Sequence, residues 1–415
     1  MSRIRIQNFG PIRDSGWIDI KKVTVFLGNQ GSGKSTVAKL VATFLWMEKV
    51  LYRGDYQEKW FERRGRFRSQ LLAYHRLESY IAKNGGNESS IVYEGEHKHI
   101  SYQGGDVSLS DPLSADIYVL PQILYIPAER NFIAYVRTPK ELKLSSKSFG
   151  AFIGEFAVAR DAMKGDVRLP INDSFLEYDR LNDTMKLRGN NYKIPLSDAA
   201  SGFQSCAPLY LVSRHFAASV TRKENASDSE MNSDEKFRFQ KEIAELYNND
   251  ELSDEQRKAA ISVLSRRFKK SAFINIVEEP EQNLFPTAQS KLLYSLLEFN
   301  NEQPGNKLLF TTHSPYLVGA LTLAVQGAEL KTKIENQTSG ARCRELLEKL
   351  TRIVPLKALA NVNDVAIYEL DETVGSVSSL SMPNGVPSDE NVLNTLLGRE
   401  NEDFDALLAI EEELG

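Results

Sequence analysis

The chain has 415 residues, 41% hydrophobic and 26% charged, a globular balance that excludes a fibrous or largely disordered protein. At roughly 150 residues per domain, it holds about two or three domains' worth of core. Its net charge of −5 includes seven unopposed acids at positions 400–415; without them the remainder carries +2, so charge neither excludes nor indicates a nucleic-acid partner.

Ser2–Asn8 alternates apolar and polar residues, which predicts a half-buried strand, and Gly10-Pro11 a turn. Gly16–Ile20 and Val23–Leu27 follow as strands. The second is apolar apart from Thr24, as a buried strand is. Next come Gly28–Thr36 and a helical pattern at Val37, Leu40, Val41, Phe44 and Leu45. Residues 49–80 read as helix, 84–113 as hairpins and 117–127 as a strand pair. Residues 139–195 mix both signals, and 203–220 read as helix. A polar loop is expected over 221–236 and helix over 237–270. Ala272–Val277 and Lys307–Phe310 are short buried strands, each followed by charged or polar residues, as at the C-terminal edge of an α/β sheet. A helix at Ala341–Ile353 and strands at 364–370 and 376–381 precede the acidic tail.

No internal repeat or long heptad array is present. Charges break the longest apolar runs, so no membrane span is expected. The opening MSRIRIQNFG has no apolar core, so no secretory leader is expected. Cys206 and Cys343 cannot build a disulfide framework, which favours a reducing cytoplasm.

Gly28-Asn29-Gln30-Gly31-Ser32-Gly33-Lys34-Ser35-Thr36 fits G-x-x-x-x-G-K-[ST] in full, with an apolar strand before it and an amphipathic helix after it. Glycines let backbone N–H groups curl round a polyphosphate, and the helix aims its N-terminus at the same anion. Lys34 can reach the β- and γ-phosphates of ATP, and Ser35 can ligate Mg²⁺. Downstream, Phe273–Val277 ends in Glu278-Glu279-Pro280. Adjacent strand residues face opposite ways, so Glu278 can join the Mg²⁺ shell while Glu279 accepts a proton from attacking water. Leu308–Thr312 ends in His313-Ser314-Pro315. A lone histidine is more often structural, but after these motifs His313 is a candidate to contact the γ-phosphate or position water.

The order of phosphate loop, Ala199-Ala200-Ser201-Gly202-Phe203-Gln204-Ser205, Glu-Glu-Pro-Glu and Thr-His-Ser-Pro resembles the ATP-binding-cassette (ABC) ATPases of the soluble, chromosome- and defence-associated branch. That branch includes RecF and SMC heads, the ATPase half of OLD nucleases and the ATPase subunits of antiphage systems such as Septu and PARIS. Leu124–Arg130 is also similar to a strand and loop of that branch. The likeness spans roughly residues 1–330 and rests on four motifs in order.

The resemblance implies an α/β fold: an ABC-type P-loop ATPase head with an N-terminal antiparallel β-subdomain, a helical second lobe and a small C-terminal extension. Residues 1–130 and 271–330 would form the nucleotide-binding lobe. Residues 131–270 would carry the signature and a helical insertion, and 331–415 a cap and acidic tail. The resemblance also implies a composite site, in which Ser201, Gly202 and Gln204 of one subunit meet ATP bound at residues 29–36 of another. ATP would then hold together a homo-oligomer, a dimer or a ring of dimers, and hydrolysis would release it.

Three departures stand out: Phe203 replaces a second signature glycine, Glu278 replaces an aspartate, and 77 positions separate Ser201 from Glu278. The extra methylene of Glu278 is expected to slow turnover, and the long gap to hold a helical arm. Gln122 and Glu129 are candidates for the family's glutamine loop.

Residues 49–76 hold eight bases, three acids and several aromatics, a possible DNA or RNA surface, although a solvated helix with its rings in the core is the simpler reading. Arg266-Arg267-Phe268-Lys269-Lys270 is a second basic patch. No nuclease residue set follows His313, so any effector would be a separate polypeptide, such as a nuclease. The acidic tail would dock on a basic partner or keep the protein soluble. The expected function is an ATPase switch in antiphage defence. A RecF-like DNA-repair clamp is the alternative, and a monomeric P-loop kinase is disfavoured by size and by Ser201–Gln204.

Overall fold

The computed structural model describes residues 2–82, 88–112, 118–135, 145–221, 233–248, 253, 255–257, 260–261, 264, 268–382 and 391–414. Most of the expected 221–236 loop, part of the 237–270 helix, and Arg266 and Arg267 of the second basic patch lie outside the described residues.

The N-terminal strands follow the binary pattern. Ile4, Ile6 and Phe9 of β1 (Arg3–Phe9) are buried, while Arg3, Arg5 and Gln7 take the other face. β1 turns at Gly10 and pairs antiparallel with β2 (Ile12–Asp19). β3 (Val23–Gly28) is buried along its whole length. Helix α1 (Lys34–Arg53) packs Val37, Leu40, Val41 and Phe44 into the core and ends at Gly54, whose left-handed φ of 72° lets its N–H cap the Leu51 carbonyl. The expected 49–80 helix is broken into the end of α1, one turn at Glu58–Phe61 and a π-helix at Phe67–Leu72. The hairpin region is the meander β4 (Ser90–Glu94), β5 (His99–Gln103) and β6 (Asp106–Ser110). Among the described residues of the expected 117–127 strand pair there is one strand, β7 (Pro121–Ile126).

Helix α2 (Lys147–Asp161) precedes a small antiparallel sheet of β8 (Val167–Arg168), β9 (Phe175–Asp179), β10 (Thr184–Arg188) and β11 (Lys193–Pro195). Then follow α3 (Ser201–Thr221), α4 (Ser233–Tyr247), β12 (Ala272–Glu278), α5 (Pro286–Asn301), β13 (Lys307–Thr312), α6 (Pro315–Gln337), α7 (Gly340–Ile353), β14 (Val365–Asp371), β15 (Ser376–Ser379) and α8 (Val392–Leu414). The acidic tail is therefore helical.

Among the described residues the main sheet has eleven strands, ordered β6-β5-β4-β1-β2-β15-β14-β3-β13-β12-β7. Strands β14, β3, β13, β12 and β7 run parallel. Both faces of this half are covered, as parallel sheets require. Phe273 and Val277 pack with α2, α3, α5 and α6, whereas Ile274 and Ile276 pack with α1. The fold is mixed α/β with an N-terminal antiparallel portion, as expected.

The expected C-terminal cap needs correction. β14 and β15 lie inside the main sheet, between β3 and β2. β14 is apolar on both faces, with Val365 and Ile367 in one core and Ala366 and Tyr368 in the other, so only an interior position covers it. Among the described residues, no helix is long and apolar enough to cross a membrane.

Candidate functional site

Because β3, β12, β13 and β14 are parallel, their C-terminal ends share one edge. The phosphate loop, Glu278–Glu281, His313 and Glu372 gather there. Gly28 starts the loop at φ 147°, and a Cβ there would lie 2.5 Å from the Leu370 carbonyl. Gly33 precedes α1 at φ 101°, and no side chain caps the helix. The helix's first N–H groups are thus left for an anion. Asn29 Nδ2 donates to Glu372 Oε1 at 2.8 Å, and Asn29 Oδ1 accepts the Gln30 N–H. Gln30 and Gly31 form the exposed tip, while Ser32 and Thr36 are buried and Ser35 is half-buried.

Lys34 Nζ folds back onto its own loop, donating to the carbonyls of Gly28 (2.9 Å) and Asn29 (2.7 Å), and lies 3.4 Å from His313 Nδ1. Burial pulls its pKa down to about 8, with Glu279, Glu281 and Glu372 opposing that shift.

The two strand-end acids differ in environment. Glu278 is 3% exposed and faces α1, with Oε1 3.7 Å from Lys39 Nζ. Its Oε2 accepts the Ala128 N–H, whereas Oε1 has no hydrogen-bond partner. Ser35 lies one turn before Lys39 on the same helix face. Glu279 leaves the strand at φ 44°, a left-handed conformation that costs a non-glycine residue about 1–3 kcal/mol. Its N–H donates to both the carbonyl (3.1 Å) and the hydroxyl (3.2 Å) of Thr311. Its Oε1 meets His313 Nε2 at 3.0 Å, and that contact, opposed by burial, lowers the Glu279 pKa.

Two residues given no role from the sequence complete the edge. Glu281 Oε1 accepts the Thr312 hydroxyl (2.8 Å) and the His313 N–H (2.7 Å). Burial pushes its carboxyl pKa up. Arg130 is fully buried and donates to the carbonyls of Glu278 (2.6 Å), Glu279 (2.6 Å), Ser205 (3.1 Å) and Pro127 (3.3 Å). Burial lowers its pKa to about 10. The available signals were the third acid of Glu-Glu-Pro-Glu and an arginine four positions past an apolar strand.

Neither a family model nor a curated protein matches the chain. Solved structures that it resembles include the SMC head domain from Thermotoga maritima, at 12% identity, covering 77% of this chain and 90% of that one, with a TM-score of 0.34. An SMC head bound to the C-winged helix domain of ScpA gives 11% identity, coverage of 92% and 98%, and a TM-score of 0.39. An SMC head with an extended coiled coil, bound to the C-terminal domain of ScpA from Pyrococcus furiosus, gives 10%, the same coverage and 0.37.

The signature residues separate. Ser201 opens α3 and is exposed. Gly202 packs so closely on the segment after Glu281 that a Cβ would lie 2.7 Å from the Asn283 carbonyl. Gln204, expected to reach ATP in trans, is instead 4% exposed: it donates to the carbonyls of Ser197 and Ala199 and accepts the Tyr135 hydroxyl. One turn into the helix, its side chain is directed inward, where its polar atoms brace the loop. Gln122 lies near the start of β7, opposite Phe273, at the end of the strand away from the site. Glu129 is at the correct edge and exposed.

In the 49–76 segment Phe61 and Phe67 are buried, and Arg63, Arg64 and Arg68 are exposed. Those two rings serve the core, and the arginines carry the surface charge. Among the described residues, no group of three or more His, Cys, Asp or Glu is arranged to hold a metal unaided. Ser35 with the Glu278 carboxylate, whose Oε1 accepts no hydrogen bond and lies 3.7 Å from Lys39 Nζ, is a hard-oxygen, partial donor set, which fits Mg²⁺ sharing its shell with phosphates.

Proposed function

We propose that this chain is an ABC-type ATPase, a nucleotide-driven switch whose subunits associate around ATP. The convergence of Lys34, Glu279 and His313 on one phosphate loop carries this reading. A bound triphosphate would draw Lys34 Nζ from the Gly28 and Asn29 carbonyls to its β- and γ-oxygens. Ser35 and Glu278 would hold Mg²⁺, which supplies charge neutralisation at those oxygens. Glu279, kept ionised by His313, would take the proton of the attacking water, with His313 fixing its orientation. A carboxylate of lowered pKa is a weak base, which supports slow turnover.

Ser201 and Gly202 of a second copy would close the site, since Ser201 is exposed at a helix N-terminus. By analogy with the resembled family, the switch would work in the cytoplasm and hold or activate a separately encoded effector in antiphage defence. A DNA-binding clamp is the second reading, favoured by exposed Arg63, Arg64 and Arg68. The test is light scattering of Glu279→Gln with ATP. A dimer that forms with ATP and is lost in the Ser201→Arg, Glu279→Gln double variant supports the switch. A monomer with ATP, or a dimer indifferent to Ser201→Arg, overturns it. Duplex binding that appears only with ATP and falls steeply with salt would select the clamp.

A further inference from the structure

A second concavity lies between α1, the 56–75 segment, β7 and α2. It encloses about 330 Å³ and is walled by Trp46, Tyr56, Trp60, Tyr74, His75 and Tyr125. The rings interlock: Tyr56 and Trp60 have centroids 4.5 Å apart, and His75 meets Tyr125 edge-on at 4.7 Å. His75 is 5% exposed, and its Nδ1 has no hydrogen-bond partner. A buried, unpartnered ring nitrogen is costly unless something arrives to bond it.

We propose that this cleft is a binding site for an uncharged, planar heteroaromatic molecule of one or two fused rings, with a ring N–H or ring nitrogen bonded to His75 Nδ1. Flat aromatic walls select a flat ligand through stacking and edge-on contact. The volume falls near the lower end of the range of about 300–1,000 Å³ for small-molecule pockets, and apolar cavities about half this size accept benzene. Burial pulls the His75 pKa down to about 3, so the imidazole is neutral, and the two charged residues on the rim, Lys147 and Glu155, are of opposite sign, so the lining favours no net charge on a ligand. A neutral imidazole carries one donor and one acceptor nitrogen, so Nδ1 can match either edge of such a ring. The cleft shares no lining residue with the phosphate loop, and the proposal does not depend on nucleotide hydrolysis.

The test uses the full chain and three probes, indole, benzimidazole and hypoxanthine, followed by saturation-transfer NMR and calorimetry. Thr43, which also lines the cleft, is changed to Phe to fill it, and His75 to Phe to keep the ring but remove the nitrogen. Thermal melts verify that both variants fold. The expected result is binding of at least one probe to the wild type, abolished by Thr43→Phe and weakened about tenfold by His75→Phe, the loss of one buried hydrogen bond. If Thr43→Phe unfolds, the His75→Phe comparison decides alone. No binding of any probe to the wild type, or equal binding to wild type and His75→Phe, overturns the proposal.

Discussion

Glu281 grips His313 by its main chain, accepting the His313 N–H at 2.7 Å on the same oxygen that takes the Thr312 hydroxyl. The first residue after β13 is thus fixed before its imidazole touches Glu279. The burial that makes the grip firm also raises the Glu281 pKa. A carboxyl that binds its proton more tightly when folded loses stability for the fold as pH rises above the ordinary carboxylate range. Glu281→Gln keeps an oxygen for both donors and removes the charge. Its melting temperature should exceed that of the wild type near about pH 8, and the gap should close towards about pH 4. Calorimetry across that range checks this, and a lower melting temperature at the alkaline end counts against it.

Lys34 gives a signal of the opposite sign. Its folded pKa of about 8 lies below its ordinary value, so the unfolded chain binds more protons above that pH. The ligand-free protein should therefore gain stability as pH rises from about 8 to about 10.5. A triphosphate favours the charged ammonium, so ATP binding should take up a proton and weaken above about pH 8. Titration calorimetry in two buffers of different ionisation enthalpy measures that uptake directly. Lys34→Ala should abolish both the uptake and the binding.

His313→Ala should leave nucleotide affinity nearly unchanged and lower phosphate release by about tenfold to a hundredfold, since it frees the Glu279 carboxylate. The Glu279 pKa should rise towards its ordinary value. Steady-state phosphate release against pH reads both effects. Unaltered release would remove His313 from the mechanism.

Arg130→Met should be the most damaging of these changes to the fold. It removes the Arg130 hydrogen bonds from the carbonyls of Ser205, Glu278 and Glu279. At about 1.5–3 kcal/mol for each hydrogen bond to a charged group, the expected loss is about 3 kcal/mol or more. A urea melt gives the number, and a shift below about 1 kcal/mol contradicts it.

The phosphate loop and the two motif-bearing strands were legible because each has a local cause: a glycine spacing, an apolar run or a strand end. Ser314-Pro315 was legible in principle, since a serine cap before a proline at the first helical position marks a helix start, and Ser314 does accept the Tyr316 N–H. The inward setting of Gln204 was illegible because facing inward or outward at a helix start depends on which carbonyls lie beneath it. Arg130 was invisible as a strut because its acceptors are backbone carbonyls, three of them 75 or more residues away. The place of β14 was illegible for the same reason, as its neighbour β3 is set by pairing across most of the chain.

That pairing bears on how the protein is made. Val23 of the phosphate-loop strand is flanked by Leu308 and Val365, so both edges of β3 wait for partners that leave the ribosome late. At about 5–20 residues per second, roughly 340 further residues take on the order of tens of seconds. Until Leu308 is made an apolar strand is exposed on both edges, which invites aggregation and gives chaperones a reason to hold it. The half-synthesised chain lacks Leu370, whose carbonyl closes on Gly28, so the loop is complete only after β14 has been made.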